Sequence, residues 1–145
     1  MVAGQASDTI TDKKRVDTNL GFLKFIENSA KEQGLNNVET ILAAEEDLAL
    51  PERSLDLVFM RNVYHHLTNR VEYFKKLKRF LKSKGRVAIL EYKRAGPLNS
   101  HRMLGHYVPR ETIIEEMREA GYRVKQEFDF LPEQSFTIFL KSDGS

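Results

Sequence analysis

The chain has 145 residues, 41% hydrophobic and 30% charged, with a formal net charge of +2. That length and composition suit one ordinary globular domain. The lack of cysteine excludes disulfide frames and thiolate metal sites, no apolar run approaches the ~20 residues of a membrane helix, and so small a charge excess argues neither for nor against a nucleic-acid or acidic-membrane partner.

Residues 1–13 are polar, small and charged. They read as a flexible N-terminal segment without a secretory signal, so a cytoplasmic protein is expected. Residues 14–145 then form a single domain. Residues 14–17 suggest a short strand. Leu20, Phe22, Leu23, Ile26 and Ala30 fall on one helical stripe, with Thr18 or Asn19 as cap and Gly34 as stop. Residues 38–43 form the next strand candidate. Residues 55–60 form another, apolar on both faces apart from Asp56, as in parallel strands covered by helices on both sides.

A helix follows Thr68 or Asn69, with Val71, Phe74, Leu77 and Leu81 inside and Gly85 at its end. Residues 87–90 are a short apolar strand, and residues 92–108 a long loop of the kind that is usually functional or mobile. Pro109 suits the first helical position. Ile113, Ile114, Met117 and Ala120 give that helix its buried face, and Gly121 ends it. Residues 124–130 and 136–140 read as an antiparallel hairpin. Strands alternating with helices imply a parallel sheet with right-handed crossovers.

The richest stretch is residues 45–67: an acidic loop, a proline-marked turn, a buried strand, then Arg61, Asn62, Tyr64, His65 and His66 where that strand ends. Ligands of open α/β sheets sit past the carboxyl ends of strands, so this polar shelf faces a ligand crevice.

In this order the motifs resemble a class I AdoMet-dependent methyltransferase of the type 11, ubiquinone/menaquinone C-methyltransferase-like group. Val16 and Asp17 resemble the acid at the tip of the family's second strand, which binds the AdoMet ribose. Ala44 to Asp47 resemble the acidic loop that frames adenine. Leu50, Pro51, Ser54, Leu55, Asp56, Leu57 and Val58 match "LPxxSxDLV" ahead of the fourth strand. Phe80, Leu81, Lys82, Gly85, Arg86 and Val87 resemble the "LKPGGRV" turn into the fifth, and Gly121 with Tyr122 the "AGF" before the sixth. The resemblance implies a Rossmann-like α/β sheet, mostly parallel with a C-terminal antiparallel hairpin. It implies S-adenosyl-L-methionine as cofactor and a small-molecule methyl acceptor.

The chemistry is consistent. A strand-tip carboxylate can accept two ribose hydroxyls, and methyl transfer needs chiefly alignment of the nucleophile with the methyl group. The cofactor residues implied are Asp17, Glu45, Glu46, Arg61 and Asn62. Tyr64, His65 and His66 are the catalytic candidates. His101, Arg102 and His106 lie where the family varies with its substrate. The histidines show no ligand spacing or carboxylate partner in sequence, so no metal is expected.

One motif is missing. The family places a glycine-rich loop after its first strand, and the eight glycines here are dispersed. The first strand and helix are therefore expected to be missing. Losing three or four ligand hydrogen bonds would weaken AdoMet binding roughly a hundred- to a thousand-fold. The gap would leave the second and fourth strands to pair directly, to share edges in a homodimer, or to await a longer chain's N-terminal part. The homodimer is the expectation. The alternative to methyl transfer is a non-catalytic methyltransferase-like domain acting through self-association or a partner. A third reading, a basic nucleic-acid-binding module, rests on residues 75–84. That run reads in preference as the solvated outer face of a helix, so no nucleic-acid or membrane partner is expected.

Overall fold

An apolar strand such as residues 55–60 needs cover on both faces and both edges, and the chain's order of elements supplies it. A computed structural model describes residues 2–6, 10–17, 20–42, 50–93 and 107–143; for residues 2–6, 10–13, 16–17 and 42 it describes the backbone alone. The elements are β1 (Val2–Ala6), β2 (Ile10–Asp17), α1 (Leu20–Glu32), β3 (Val38–Leu42), β4 (Leu55–Arg61), a 3₁₀ turn (Tyr64–His66), α2 (Arg70–Leu77), β5 (Leu81–Tyr92), α3 (Arg110–Glu119), β6 (Tyr122–Phe128) and β7 (Gln134–Lys141).

The strands form one seven-stranded sheet in the order β3-β2-β1-β4-β5-β7-β6. β2 and β3 are parallel, as are β4 and β5, while β7 runs antiparallel to both β5 and β6. This is the Rossmann-like α/β arrangement with its C-terminal antiparallel hairpin. No described helix is long and apolar enough to cross a membrane.

The slot between β2 and β4 is not empty. β1 fills it and runs antiparallel to both neighbours. Only residues 7–9 separate β1 from β2, too few for a crossover helix. Among the described residues there is thus no parallel first strand with its helix, as expected, but Val2–Ala6, placed in the segment read as flexible, cover both inner edges within one chain. Direct pairing of the second and fourth strands does not occur.

Two further elements depart from the sequence reading. α2 stops at Leu77, and β5 begins at Leu81. Leu81 pairs with Leu55 at the start of β4. Gly85 lies inside β5, where an added Cβ would sit 2.9 Å from the Leu55 carbonyl oxygen. The Asn69 cap position is correct, but Asn69 is left-handed (φ 51°) and makes no side-chain cap bond. Gly121 does end α3, at φ 88°.

The main core lies around β4, β5 and β7, where Val58, Ile89 and Phe139 meet Phe74 and Leu77 of α2 and Met117 of α3. Tyr122 ties the layers together: its ring packs edge-on to Phe74, and its buried hydroxyl donates to the Phe74 carbonyl at 2.9 Å. Burial pushes that hydroxyl's pKa well above the usual phenol range. The Leu50-Pro51 turn is closed by Ser54, whose hydroxyl donates to the Pro51 carbonyl at 2.7 Å.

Candidate functional site

The carboxyl ends of the parallel strands fall in a row. Val2 of β1 faces Arg15 of β2 on one side and Phe59 of β4 on the other. Asp17 and Arg61 each lie two residues further along, so the tips of β2 and β4 stand level, about 10 Å apart at the usual strand spacing. Asp17 pairs with Leu42 at the end of β3, and Arg61 with Leu90 of β5. Glu91 and Tyr92 extend β5 beyond β4, and Tyr92 pairs with Gln134 of β7.

Asn62 turns the chain out of β4 with φ 52°, a left-handed backbone that Asn tolerates. Its N–H donates to the Leu90 carbonyl at 2.8 Å, and its Oδ1 accepts from Gln134 Nε2 at 2.7 Å. The turn that follows therefore packs over the end of β5.

There it meets Glu91, a residue the sequence reading did not single out. Glu91 is 0% exposed. A buried carboxylate must be matched by donors. Glu91 Oε2 accepts the His65 backbone N–H at 3.2 Å, while Oε1 accepts the Tyr92 N–H at 2.9 Å and lies 2.9 Å from His65 Nδ1. A carboxylate only accepts, so Nδ1 carries the proton and Nε2 is directed away from Glu91. The His65 side chain is only 4% exposed, and the His66 ring leans on it at 4.0 Å between centroids. The signal in sequence was an acid directly after the apolar run 87–90, level with the histidine shelf of the neighbouring strand.

Tyr64 points the other way, into the core. Its hydroxyl donates to Glu116 Oε2 at 2.6 Å, and the Arg70 guanidinium grips the same carboxylate through Nε and Nη2, both at 2.7 Å. Arg70 also lies over the Tyr64 ring, 5.2 Å from its centroid. The fork of Arg70 holds the Glu116 carboxyl below its usual range. Burial, reinforced by the hydrogen bond to Glu116, pushes the Tyr64 hydroxyl far above the usual phenol value. Tyr64 is thus a neutral donor that fixes α3 against the 3₁₀ turn.

Arg61 is exposed at the tip of β4, and Asn62 is half-buried beside it. Asp17 ends β2, with its backbone alone described; Glu45, Glu46, His101, Arg102 and His106 lie outside the described residues. Among the described residues, no group of three or more His, Asp or Glu side chains converges as a metal site would require.

A cleft of about 350 Å³ opens beside the end of β5, lined by Lys93, Tyr107, Pro109, Arg110, Glu111 and Ser135. Ser135 Oγ donates to the Glu91 backbone carbonyl at 3.3 Å, so the cleft wall on β7 adjoins the buried acid on β5. Arg110 in its wall is held by Asp129 at 2.9 Å and by the Phe128 carbonyl at 2.8 Å, and among the described residues its buried Nε has no hydrogen-bond partner. Neither Lys93 nor Arg110 was legible as a site residue, because each reads as an ordinary surface cation.

A family model described as a methyltransferase domain matches residues 3–89, more than half of the chain. The chain belongs to the class I AdoMet-dependent methyltransferase family. Its fold is shared with solved methyltransferases. A SAM-dependent methyltransferase from Aquifex aeolicus superposes with a TM-score of 0.79 at 20% identity, over 87% of this chain and 66% of that one. A protein described as a type 11 methyltransferase from Sulfolobus solfataricus gives 0.69 at 18% identity, over 91% and 72%. The trans-methyltransferase CalH, solved in complex with SAH, gives 0.70 at 17% identity, over 89% of this chain and 42% of that one. This methyltransferase domain therefore spans about two thirds of the Aquifex protein's length and less than half of CalH's. No protein of curated function matches the chain in sequence.

Proposed function

We propose that this methyltransferase domain binds AdoMet along the carboxyl edge of its sheet and passes the methyl group to a small acceptor. One observation carries the reading. In a chain of this family, the tips of β2 and β4 stand level beside a histidine that is oriented by a buried carboxylate. In this arrangement Asp17 accepts the ribose hydroxyls, Glu45 and Glu46 frame the adenine, and Arg61 and Asn62 line the crevice. The cleft at Lys93 and Arg110 holds the acceptor, with His101, Arg102 and His106 selecting it.

Held by Asp17, Arg61 and Asn62 at this edge, AdoMet would supply an electrophilic methyl group for the acceptor's lone pair. An acceptor bearing N–H or O–H must then lose a proton. His65 Nε2 is the group suited to take it, because Glu91 holds the ring in the tautomer whose Nε2 accepts. His66 supports that ring from the side.

A second reading is favoured by β1. The first-strand slot is filled by a strand running away from the carboxyl edge, so no strand-to-helix turn is delivered there to wrap the methionine part of AdoMet. On that reading the domain is non-catalytic and acts through a partner.

Calorimetric titration with AdoMet and S-adenosylhomocysteine separates the two. Saturable micromolar binding that weakens at least tenfold in Asp17→Ala supports methyl transfer. No heat at millimolar ligand overturns it in favour of the second reading.

A further inference from the structure

The amino edge of the sheet, opposite the proposed crevice, gathers cations from four separate segments. Arg53 precedes β4; its N–H donates to the Arg79 carbonyl at 3.0 Å, and the N–H groups of Ser54 and Leu55 both reach the Phe80 carbonyl at 2.9 Å. This pins the Arg53 turn against the end of α2. Lys141, at the end of β7, donates through Nζ to the Leu81 carbonyl at 3.1 Å. Lys78 Nζ lies over Gly121, within 2.4 Å of where a Cβ would stand. Gly121 in turn accepts the N–H of Ser142, next to Lys141, at 3.0 Å. Arg79 rests flat against Phe80, its Cζ 4.6 Å from the ring centroid.

Arg53, Lys78, Arg79 and Lys141 therefore surround one corner, Phe80-Leu81. Exposed Lys84 and Arg123 extend it along β5 and β6. Among the described residues, none of these six forms an ion pair, and the ion pair at this edge is Lys82 with Asp56 at 2.9 Å. Burial, and then the charges of Arg53 and Lys78, hold the Lys141 ammonium below its usual range. Like charges packed together without ion-pair partners gain from an external anion.

The run 75–84 is thus not one solvated helix face. α2 ends at Leu77, and the cations after it turn onto the sheet edge beside those of β6 and β7. Neighbouring strands are about 4.8 Å apart, so the array repeats positive charge across β4, β5, β7 and β6.

We propose that this edge is a binding surface for the phosphate backbone of a nucleic acid. Its chain of fixed charges matches a row of cations set one per strand, and the exposed Arg79 guanidinium presents a planar fork suited to phosphate. The surface lies the length of β4 away from Asn62, about 20 Å for seven residues, and binding there leaves the carboxyl edge open.

The test is fluorescence anisotropy of a labelled 20-nucleotide oligouridylate against the full chain, titrated in KCl. The expected dissociation constant is about 1–100 μM near 100 mM salt, falling steeply in affinity as salt rises. R53N/K78Q/K141Q should lower affinity at least tenfold and reduce the log–log salt slope by about 2, since three phosphate contacts are lost. Asn keeps the left-handed backbone at position 53. K24Q/K31Q/K75Q removes the same charge elsewhere and should stay within twofold of the parent. R79Q/K84Q touches only exposed side chains and should also weaken binding, which guards against loss through unfolding. The proposal is overturned by no salt-dependent binding at 50 mM KCl, by an equal loss in K24Q/K31Q/K75Q, or by polyglutamate outcompeting the RNA at equal charge.

Discussion

Glu91 Oε1 lies 2.9 Å from His65 Nδ1, and the two side chains are 0% and 4% exposed. Three donors converge on this carboxylate: the His65 ring, the His65 N–H and the Tyr92 N–H. Breaking a buried pair by removing one partner costs about 3–5 kcal/mol, because an uncompensated group stays behind. Glu91→Ala should therefore lower stability by that amount. Glu91→Gln keeps the volume and one acceptor but faces donors with an amide, so it should cost about 1–3 kcal/mol. Urea denaturation measures both. A loss below about 0.5 kcal/mol in each would mean that the pair is not sealed as described.

Glu116 joins the Tyr64 hydroxyl and the Arg70 fork, and its pH response has a definite sign. Its folded carboxyl sits below the ordinary value, chiefly through the hydrogen bonds from Arg70. The stabilisation is thus fully present above the unfolded pKa of about 4.3 and is lost as pH falls through the lower folded value. The stability difference between the parent and Glu116→Gln should be constant from pH 7 to about 5 and shrink below that. A difference that held steady down to pH 2.5 would rule out the linkage. Tyr64→Phe removes one hydrogen bond to a charged group, worth about 1.5–3 kcal/mol, and should do so without altering the fold.

Two glycines separate close approach from backbone freedom. At Gly85, an added Cβ would meet the Leu55 carbonyl at 2.9 Å and the Lys82 carbonyl at 3.0 Å, both backbone atoms that cannot swing aside. Gly85→Ala should cost about 1–3 kcal/mol through overpacking at the β4–β5 start. Gly34 has open space around its Cβ position but φ 67°, so Gly34→Ala should cost about 1–2 kcal/mol through the left-handed backbone alone. Gly34→Asn should recover part of that loss, and Gly85→Asn should lose more. Denaturation midpoints of the four variants decide the matter, and equal behaviour at both positions would contradict the assignment.

Periodicity in the sequence located α1, β3, β4, α3 and the final hairpin, because each alternates or strides with the period of its own element. It misplaced the start of β5. Leu77 and Leu81 are four apart and read as one helical stripe, yet Leu81 pairs with Leu55 across the sheet. It also gave no sign of β1, since Val2–Ala6 are small residues with weak strand preference and only the open edges of β2 and β4 draw them in. At the site, the shelf from Arg61 to His66 was legible from chemistry at a strand end. Glu91, Glu116 and Arg70 were not, because an acid or a base in sequence carries no mark of the partner that buries it.

The reversed strand makes its own prediction. Val2, Ala3 and Gly4 pair with Phe59, Val58 and Leu57 of β4, and the same strand pairs with β2 from Ile10 to Arg15. Removing residues 1–8 would bare two inner edges at once, each with unpaired N–H and C=O groups, beside apolar side chains on β4. Such edges pair with whatever strand is offered, and another copy of the chain is the nearest source. The truncated chain should therefore sediment as a dimer or larger species at concentrations where the full chain sediments at lower mass. Its β4 amides should lose hydrogen-exchange protection on dilution. β4 stays sealed on its other side by β5 in either form, so amides of β5 provide the internal reference. A truncated chain that kept the parent's sedimentation mass and β4 protection would show that β2 and β4 close directly on each other once β1 is gone.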